Sequence, residues 1–238
     1  MIKVVGIGPG AREHMTYAAV EAIKSCDVVV GYKTYIDLIK EFIDEQEVIV
    51  NGMRGEVERC KEAVAQSLKG KTVCVISSGD AGVYGMAGLI YELVPEGHAV
   101  EVIPGVTAST AGAAILGAPL MHDFCHISLS DLMTPLETIY NRVKAAAASD
   151  FVICLYNPKS HGRPEYINEA LSMIMSYQGT NLWVGLAKDV GREGERTIIS
   201  KIDEVDYDLI DMTTVVIVGN SNTRNIGGKM ITPRGYTL

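Results

Sequence analysis

Short runs of apolar, β-branched residues alternate along the chain with segments whose apolar residues recur at helical spacing. In the first half, the runs bounded by Gly, Pro or Ser predict buried strands over Lys3–Ile7, Asp27–Gly31, Glu47–Val50, Thr72–Ser77 and Val100–Ile103. The segments between and after them predict helices over Thr16–Ser25, Thr34–Glu41, Glu56–Leu68, Ala81–Leu93 and Thr107–Leu116. This alternation predicts an α/β fold with a mostly parallel sheet flanked by helices.

The pattern restarts after Gly117-Ala118-Pro119, where a proline-containing hinge precedes a new strand at Phe124–Leu129. Thr134 as the N-cap, Pro135 at the first helical position and Glu137 at the third predict a helix that runs to about Ala148. The later elements are a strand over Phe151–Tyr156, a helix over Pro164–Tyr177, and strands over Leu182–Ala187, Arg196–Ser200 and Thr214–Gly219. We expect two α/β domains, residues 1–118 and 119–238, each a mostly parallel sheet flanked by helices.

Charge and hydropathy narrow the classes of partner. The chain has 238 residues and a formal net charge of −8, without a run of basic residues interleaved with aromatic ones. Nucleic acid is therefore not expected as a partner. No window approaches the roughly 18 apolar residues of a membrane span, and the first residues predict a strand rather than a signal segment. We expect a cytoplasmic protein that does not bind membranes.

Ligands of open α/β sheets bind beyond the carboxyl ends of the strands, so the loops there are the first candidates for a site. The first loop, GIGPGA from Gly6, matches the G-x-G-x-x-A spacing of a dinucleotide fingerprint. Pro9 lacks an N–H for a pyrophosphate, however, and Tyr32 stands near the place of the expected acidic residue. A tight turn that brings backbone close to some other ligand is favoured.

Four further loops after predicted strands carry polar or glycine-rich sequences. In Ser77–Gly85, Asp80 is placed either to cap the helix predicted from Ala81 or to face a cationic ligand. Pro104–Ser109 offers the free N–H groups of a helix start. The others follow strands of the second half, at Tyr156–Ser160 and Val218–Ser221. Ser128–Asp131 also ends a strand, where a structural Asx or Ser turn and a functional role both stay open.

Other common chemistries lack their motifs. His122 and His126 are four residues apart without the H-E-x-x-H order, and a strand would hold them about 13 Å apart. The five cysteines include no C-x-x-C pair, which favours buried thiols over disulfides or a metal site. The chain contains neither a P-loop nor a G-x-S-x-G sequence. We expect no metal in the site.

Taken in order, the loops resemble those of the tetrapyrrole methyltransferases of cobalamin biosynthesis. The motifs that carry the resemblance run from Val4 to Tyr236 and are GIGPG, SSGDAGVYGMAG, IPGVTAS, GAPLMHDFCHISLSDLMTP, LYNPKS, VGNS and TPRGY. The resemblance implies a homodimer of two-domain subunits, with S-adenosylmethionine in the cleft between the domains and a polycarboxylate tetrapyrrole over it. The implied reaction is methylation at C17 with contraction of the macrocycle, leaving S-adenosylhomocysteine.

The resemblance also implies a set of ligand contacts. Residues expected at the cofactor are Pro9, Gly79, Asp80, Val83, Thr107, Ala108, Tyr156, Asn157, Ala187 and Thr214. Asn157 stands where sister enzymes often have methionine, which leaves its particular contact open. Residues expected at the substrate are Gly10, Arg54, His122, Asp123 and Arg234.

The implied chemistry assigns provisional roles to three polar side chains. Methyl transfer needs mainly the alignment of two atoms about 3–3.5 Å apart, whereas ring contraction needs a general acid or base. Our hypothesis places Asp131 and Ser130 on the ring side and Asp80 near the sulfonium. Because a protein at −8 repels a polyacid, local cations are also expected around the substrate. Candidates in or beside loops are Arg12, Lys33, Arg54, Lys159, Arg163, Lys188, Arg192 and Arg234.

Three rival interpretations remain. A sister methyltransferase that acts at another ring carbon, or a diphthine synthase, would keep the fold and change the acceptor. A nucleotide-binding regulatory module without chemistry rests only on the GIGPGA turn. No ligand cluster in the chain distinguishes a metal-free from a cobalt-containing substrate, so both stay open.

Overall fold

The protein, seen in a computed structural model that describes residues 1–52, 55–160 and 162–237, consists of two compact units. They are Met1–Ala108 and Ser109–Leu238. The division falls earlier than the boundary predicted after residue 118, because the helix over Ala108–Leu116 packs within the second unit. A Cβ built on Gly112 of this helix would lie 2.8 Å from Val215 and 3.0 Å from Ala187.

The first unit is built around a five-stranded sheet. Its elements are β1 (Ile2–Gly6), α1 (Tyr17–Lys24), β2 (Val28–Tyr32), α2 (Lys33–Leu38), β3 (Glu47–Asn51), α3 (Glu56–Leu68), β4 (Val73–Ser77), α4 (Ala87–Leu93) and β5 (Val100–Ile103). The strand order is β3-β2-β4-β1-β5, and every neighbouring pair is parallel. The predicted parallel sheet is confirmed here, and all five carboxyl ends lie at one edge.

Alternate residues of these strands enter two separate apolar layers. Val5, Val29 and Ile76 pack with α1 and α2 on one face of the sheet. Val4, Val28 and Val75 pack with α3 and α4 on the other. Both faces are therefore buried, which explains why the strands are continuous runs of Val and Ile rather than alternating apolar and polar residues.

The second unit contains the remaining helices and two further sheets. Its elements are α5 (Ala108–Leu116), β6 (Gly117–Ala118), β7 (Phe124–Ser128), α6 (Leu136–Ala148), β8 (Val152–Tyr156), α7 (Tyr166–Gln178), β9 (Trp183–Lys188), β10 (Arg196–Lys201), β11 (Thr214–Val218), β12 (Arg224–Ile226) and β13 (Lys229–Ile231). The sheets have the orders β10-β9-β11-β8-β7 and β12-β13-β6. Within the described ranges, no helix combines the length and apolar character needed to cross a lipid bilayer.

The expectation of a mostly parallel sheet is wrong for the second unit. In its five-stranded sheet only β7 and β8 pair in parallel, while β11 is antiparallel to both β8 and β9, and β10 is antiparallel to β9. The directions follow from the connecting segments. A short loop joins β9 to β10, and only two short 3-10 turns lie between β10 and β11. Neither connection has the helix that a parallel crossover requires.

The hairpin of β12 and β13 was not predicted. Gly227 and Gly228 form its two-residue turn, with φ of 59° and 77°. A Gly-Gly pair between short strands is typical of a two-residue hairpin turn, so the sequence did contain a signal for this hairpin.

Two of the shifted helix starts have an identifiable backbone cause. The helix expected from Ala81 starts at Ala87, because the chain first makes a turn in which Tyr84 has a φ of 54°. The helix expected to be capped by Thr134 starts at Leu136, with Pro135 as its N-cap and no side-chain capping bond. Pro135 has a ψ of 136°, which is extended rather than helical and excludes it from the first turn.

Candidate active site

Two loops of the first unit are joined backbone to backbone beyond the ends of β1 and β4. The Gly8 N–H donates to the Gly79 carbonyl at 3.0 Å, and the Gly79 N–H donates to the Gly8 carbonyl at 2.7 Å. Both glycines have left-handed backbone, with φ of 73° and 69°. Side chains disfavour that conformation, so glycine is required for the shape of this two-way bridge.

The third loop, after β5, lies directly against the other two. A Cβ on Gly105 would come within 2.2 Å of the Gly79 carbonyl oxygen and 2.7 Å of the Gly6 carbonyl carbon. These are backbone atoms that cannot move aside individually. The three loops therefore approach one another more closely than any side chain would allow.

Asp80 ties these loops together through its carboxylate. Oδ1 accepts hydrogen bonds from the N–H groups of Gly82 at 2.8 Å and Val83 at 3.1 Å, and Oδ2 accepts one from Gly105 at 2.9 Å. The predicted capping of a helix at Ala81 is wrong, because the N–H groups that Asp80 accepts belong to the turn before α4. The carboxylate instead fixes the shape of the second loop and its distance from the third.

The cofactor residues expected in the first unit fall in these three loops or, for Ala108, at the start of α5 directly after the third. Pro9 and Gly79 are buried, whereas Asp80, Val83, Thr107 and Ala108 are half-buried. Gly10, which was expected at the substrate, is also half-buried in the first loop. Because every strand of this sheet is parallel, the three loops meet at one edge. The structure thus brings together the residues that sequence motifs assigned separately.

In the second unit, the antiparallel β11 brings its first residue to the edge where β8 and β9 end. Thr214 pairs with Lys188 and Val215 with Ala187, while Ser128 pairs with Tyr156. The predicted cofactor residues Tyr156, Asn157, Ala187 and Thr214 therefore lie at one edge of this sheet.

The loop Val218–Ser221, expected beside them, lies at the opposite edge instead. The Gly219 N–H donates to the Trp183 carbonyl at the start of β9. This correction follows from the reversed direction of β11, which the sequence did not reveal.

Tyr156 and Asn157 are held by side chains of neighbouring elements. The Tyr156 hydroxyl accepts a hydrogen bond from the Ser109 N–H at 2.9 Å, and the Ser109 hydroxyl lies 2.8 Å from His126 Nε2. Burial lowers the pKa of His126. Asn157, whose φ is 51°, donates through Nδ2 to the Ser128 hydroxyl at 2.9 Å. These bonds fix the end of β8 in a specific conformation.

Asp131 is a positioned carboxylate just after β7. The Tyr166 hydroxyl donates to Oδ2 at 2.8 Å, and Arg163 Nε lies 3.7 Å from Oδ1. The bond to Asp131 raises the pKa of Tyr166. The neighbouring Ser130 N–H donates to the Ser128 hydroxyl at 3.2 Å. Ser130 and Asp131 thus lie at the edge of the second sheet that also carries Tyr156.

Most of the residues expected at the substrate are not brought to these edges. His122 and Asp123 are exposed and precede β7, so they lie at the end of that strand away from Asp131. Arg234 is exposed in the C-terminal tail. Arg54 lies outside the described residues.

Most of the expected cations already have carboxylate partners. The pairs are Arg12 with Glu41, Lys33 with Asp37, Lys159 with Asp208, Arg163 with Asp131, and Lys188 with Asp211.

Arg59, which sequence analysis missed, is 3% exposed. A signal existed, because Arg59 shares the buried face of α3 with Ala63 and Ser67 at helical spacing.

A groove of about 400 Å³ opens between the loop after β8 and the segment before β11. Its lining residues are Lys159, Ser160, Pro164, Ile210, Asp211, Met212 and Thr213. Burial alone would raise the pKa of Asp211, but hydrogen bonds from Lys188, Thr213 and Thr214 outweigh it and lower the pKa to about 2. Asp211 thus anchors the start of β11 at this edge.

Replacing Asp211 with asparagine should destabilise the protein in a pH-dependent way. The pKa is lower in the folded than in the unfolded state, so the carboxylate stabilises the fold above about pH 4 and loses this effect as the pH falls towards about 2. The side chain is 46% exposed, which limits the effect to about 1 kcal/mol or less. Urea unfolding at pH 7 and pH 3 should show a larger difference from wild type at pH 7.

Asp208, whose side chain is 98% exposed, provides the matched control. Asp208→Asn should change unfolding little at either pH. An Asp211→Asn difference that is equal at both pH values would contradict the role given to this carboxylate.

Fold and geometry together define a class of protein: a two-unit α/β protein in which three strand-end loops of the first unit are held together by backbone contacts. A family model for the tetrapyrrole (corrin/porphyrin) methylases matches residues 1–206. The chain belongs to this family, and the resemblance found in its motifs is confirmed.

Named relatives match all or most of the chain. A probable cobalt-factor III C(17)-methyltransferase of Salmonella typhimurium is 49% identical, with 100% of both chains covered. A precorrin-3B C(17)-methyltransferase of a Sinorhizobium species is 40% identical over 93% of this chain and 89% of its own. The crystal structure of the methyltransferase CobJ superposes with a TM-score of 0.93 at 32% identity, covering 98% of this chain and 99% of that one.

Proposed function

We propose that this protein transfers a methyl group from S-adenosylmethionine to C17 of the tetrapyrrole named for its relatives, cobalt-factor III or precorrin-3B, with contraction of the ring. The observation that carries the proposal is the two-way Gly8–Gly79 bridge, which Asp80 ties to Gly105. Because these loops carry glycine at their closest points, a small ligand could contact the backbone directly. The 49% and 40% identity of the chain to relatives named as C17-methyltransferases supports the choice of acceptor.

The residues of the first unit fit a sulfonium cofactor. When bound, S-adenosylmethionine supplies a methyl group that a carbon nucleophile can attack. Pro9, Gly79, Val83, Thr107 and Ala108 would contact it through the three loops. Asp80, whose carboxylate is half-buried, gives this edge a negative charge that favours a cation. Tyr156, Asn157, Ala187 and Thr214 of the second unit would complete its contacts.

Methyl transfer requires little more from the protein than alignment. When the protein holds the acceptor carbon and the methyl group in line, the entropy cost of bringing them together is met on binding rather than in the reaction step. Rigid loops suit this task, because hydrogen bonds from three N–H groups to Asp80 already fix their shape. Ring contraction needs a proton to be held or moved, and Asp131 with Ser130 is our proposed group for that step.

The direct test supplies methyl-labelled S-adenosylmethionine with either cobalt-factor III or precorrin-3B and locates the label by mass spectrometry and NMR. We expect the label at C17 of a ring-contracted product. Label at another carbon would instead identify a sister methyltransferase. Calorimetry with S-adenosylhomocysteine, NAD and ATP adds a second criterion, since only the first should bind. Binding of NAD or ATP alone would favour the regulatory module.

Replacing Asp131 with asparagine should lower the yield of ring-contracted product and leave affinity for S-adenosylhomocysteine nearly unchanged. Loss of a general acid or base typically slows a reaction by about 10²–10⁴-fold. Product analysis by mass spectrometry and calorimetric binding measure the two effects separately. Tyr166→Phe, which keeps the carboxylate and removes its hydrogen-bond donor, should have a smaller effect. Unchanged turnover of Asp131→Asn would remove this residue from the mechanism.

A further inference from the structure

Arg59 is a buried cation with no carboxylate partner among the described residues. It is 3% exposed and lies on α3. Nη2 donates to the Gly52 carbonyl at 3.2 Å, and the guanidinium carbon lies 6.0 Å from the centre of the Tyr32 ring. Nε is buried without a hydrogen-bond partner. In the part of the chain that the structure describes, no carboxylate approaches Arg59 within 4.0 Å.

A buried charge in this state is costly unless an anion neutralises it. The aromatic face of Tyr32 and one carbonyl replace only part of the hydration that the guanidinium loses. Removing such a cost is a reason for an anion to bind here. The forked N–H groups of the Arg59 guanidinium match the geometry of a carboxylate.

The position of Arg59 relates it to the candidate active site. Tyr32 ends β2 and Gly52 follows β3, so both lie at the carboxyl edge of the parallel sheet. β2 pairs with β4, and continuing the register from Val30–Val75 places Tyr32 level with Ser77, just before the loop of Asp80. Neighbouring strands are about 4.8 Å apart. A tetrapyrrole with its acidic arms is wider than two such spacings and would extend from the Asp80 loop to Arg59.

We propose that Arg59 forms a subsite for one carboxylate of the polyacid substrate. The inference rests on the proposed function, because it takes its anion from the acceptor of the methyl group. It also meets the requirement for a local cation in a protein of charge −8, at a residue that no carboxylate of the described chain already pairs with.

The test titrates uroporphyrin, a macrocyclic polycarboxylate, into the protein in the presence of S-adenosylhomocysteine and follows its fluorescence. Arg59→Met should bind it about tenfold more weakly than wild type, the loss expected for one charge-assisted hydrogen bond. Arg59→Lys, which keeps the charge without the fork, should fall between the two. Arg142→Met, which removes an exposed arginine of α6, should bind as wild type does.

The subsite predicts a set of results that a merely structural role would not give. Arg59→Met should keep the wild-type affinity for S-adenosylhomocysteine, and in turnover the KM for the tetrapyrrole should rise while kcat changes little. If Arg59→Met does not fold, Arg59→Lys decides, because weaker uroporphyrin binding by a folded protein supports the subsite. Equal affinity of wild type and the folded variants would overturn it, as would failure of wild type to bind uroporphyrin.

The methyl esters of uroporphyrin separate carboxylate recognition from general affinity for the ring. Wild type should bind the ester no better than Arg59→Met does, and a preserved preference for wild type would count against the subsite. Failure of the proposed function is visible elsewhere, because wild type would then label neither tetrapyrrole in the methyl-transfer assay, whatever the uroporphyrin titration gives.

Discussion

Gly105→Ala should lower the free energy of unfolding by about 1–3 kcal/mol, the usual cost of forcing extra atoms into a packed site. Affinity for S-adenosylhomocysteine should fall by at least about tenfold. The reason is geometric, since the added Cβ would lie 2.2 Å from the Gly79 carbonyl oxygen and 2.7 Å from the Gly6 carbonyl carbon. The third loop must then separate from the other two. Urea unfolding and calorimetric titration measure the two losses.

Gly88→Ala is the matched control for this substitution. Gly88 lies within α4, and a Cβ there would meet nothing within 4 Å. A helix is more stable with alanine than with glycine at an interior position, by about 1 kcal/mol. This variant should therefore be as stable as wild type or more so. Wild-type ligand affinity in Gly105→Ala would show that the close approach of the loops does not matter for binding.

Asp80→Asn should weaken binding of S-adenosylhomocysteine by about 10- to 100-fold, as expected when charge-assisted bonds to a ligand loop are lost. Both oxygens of the carboxylate accept backbone N–H groups. An amide can present only one oxygen, so either orientation turns a donor towards an N–H group that needs an acceptor. The second loop then loses its shape or its attachment to Gly105. Calorimetry would measure the loss directly.

Asp44→Asn serves as the control, because Asp44 is exposed in the loop before β3 and the substitution makes the same change in charge. It should bind the ligand as wild type does. If Asp80→Asn and Asp44→Asn have the same affinity, the hydrogen bonds of Asp80 do not organise the site for binding.

The layered α/β architecture could be predicted because its strands are buried on both faces. Runs such as Val28–Tyr32 and Val73–Ser77 have few alternatives to a central strand. The direction of β11 could not be predicted in this way. A wholly buried apolar strand has the same composition whichever way it runs, and only the absence of a helix between β10 and β11 pointed to an antiparallel neighbour.

The candidate site could be predicted from the sequence to a similar extent. Parallel strands place their following loops together, so strand ends alone located Gly8, Gly79 and Gly105. The bonds of Asp80 depend on the directions of three N–H groups, which no spacing encodes. Arg59 could not be predicted as a site residue, because the helical spacing of α3 indicates only which face is buried and not that a charge on that face has no partner. His122 and Asp123 were placed by resemblance, which gives no information on the end of β7 that they occupy.

The position of β11 between β8 and β9 has a consequence for synthesis on the ribosome. Its residues, Thr214–Val218, are made well after both neighbours, whose facing edges have no other strand to pair with. A nascent chain that has emerged only as far as β10 therefore exposes two Val- and Leu-rich strand edges to other polypeptides. The first unit passes through the same stage earlier, because β4 lies between β2 and β1 and is made after both of them. Each unit should therefore depend most on chaperones just before its inserted central strand emerges.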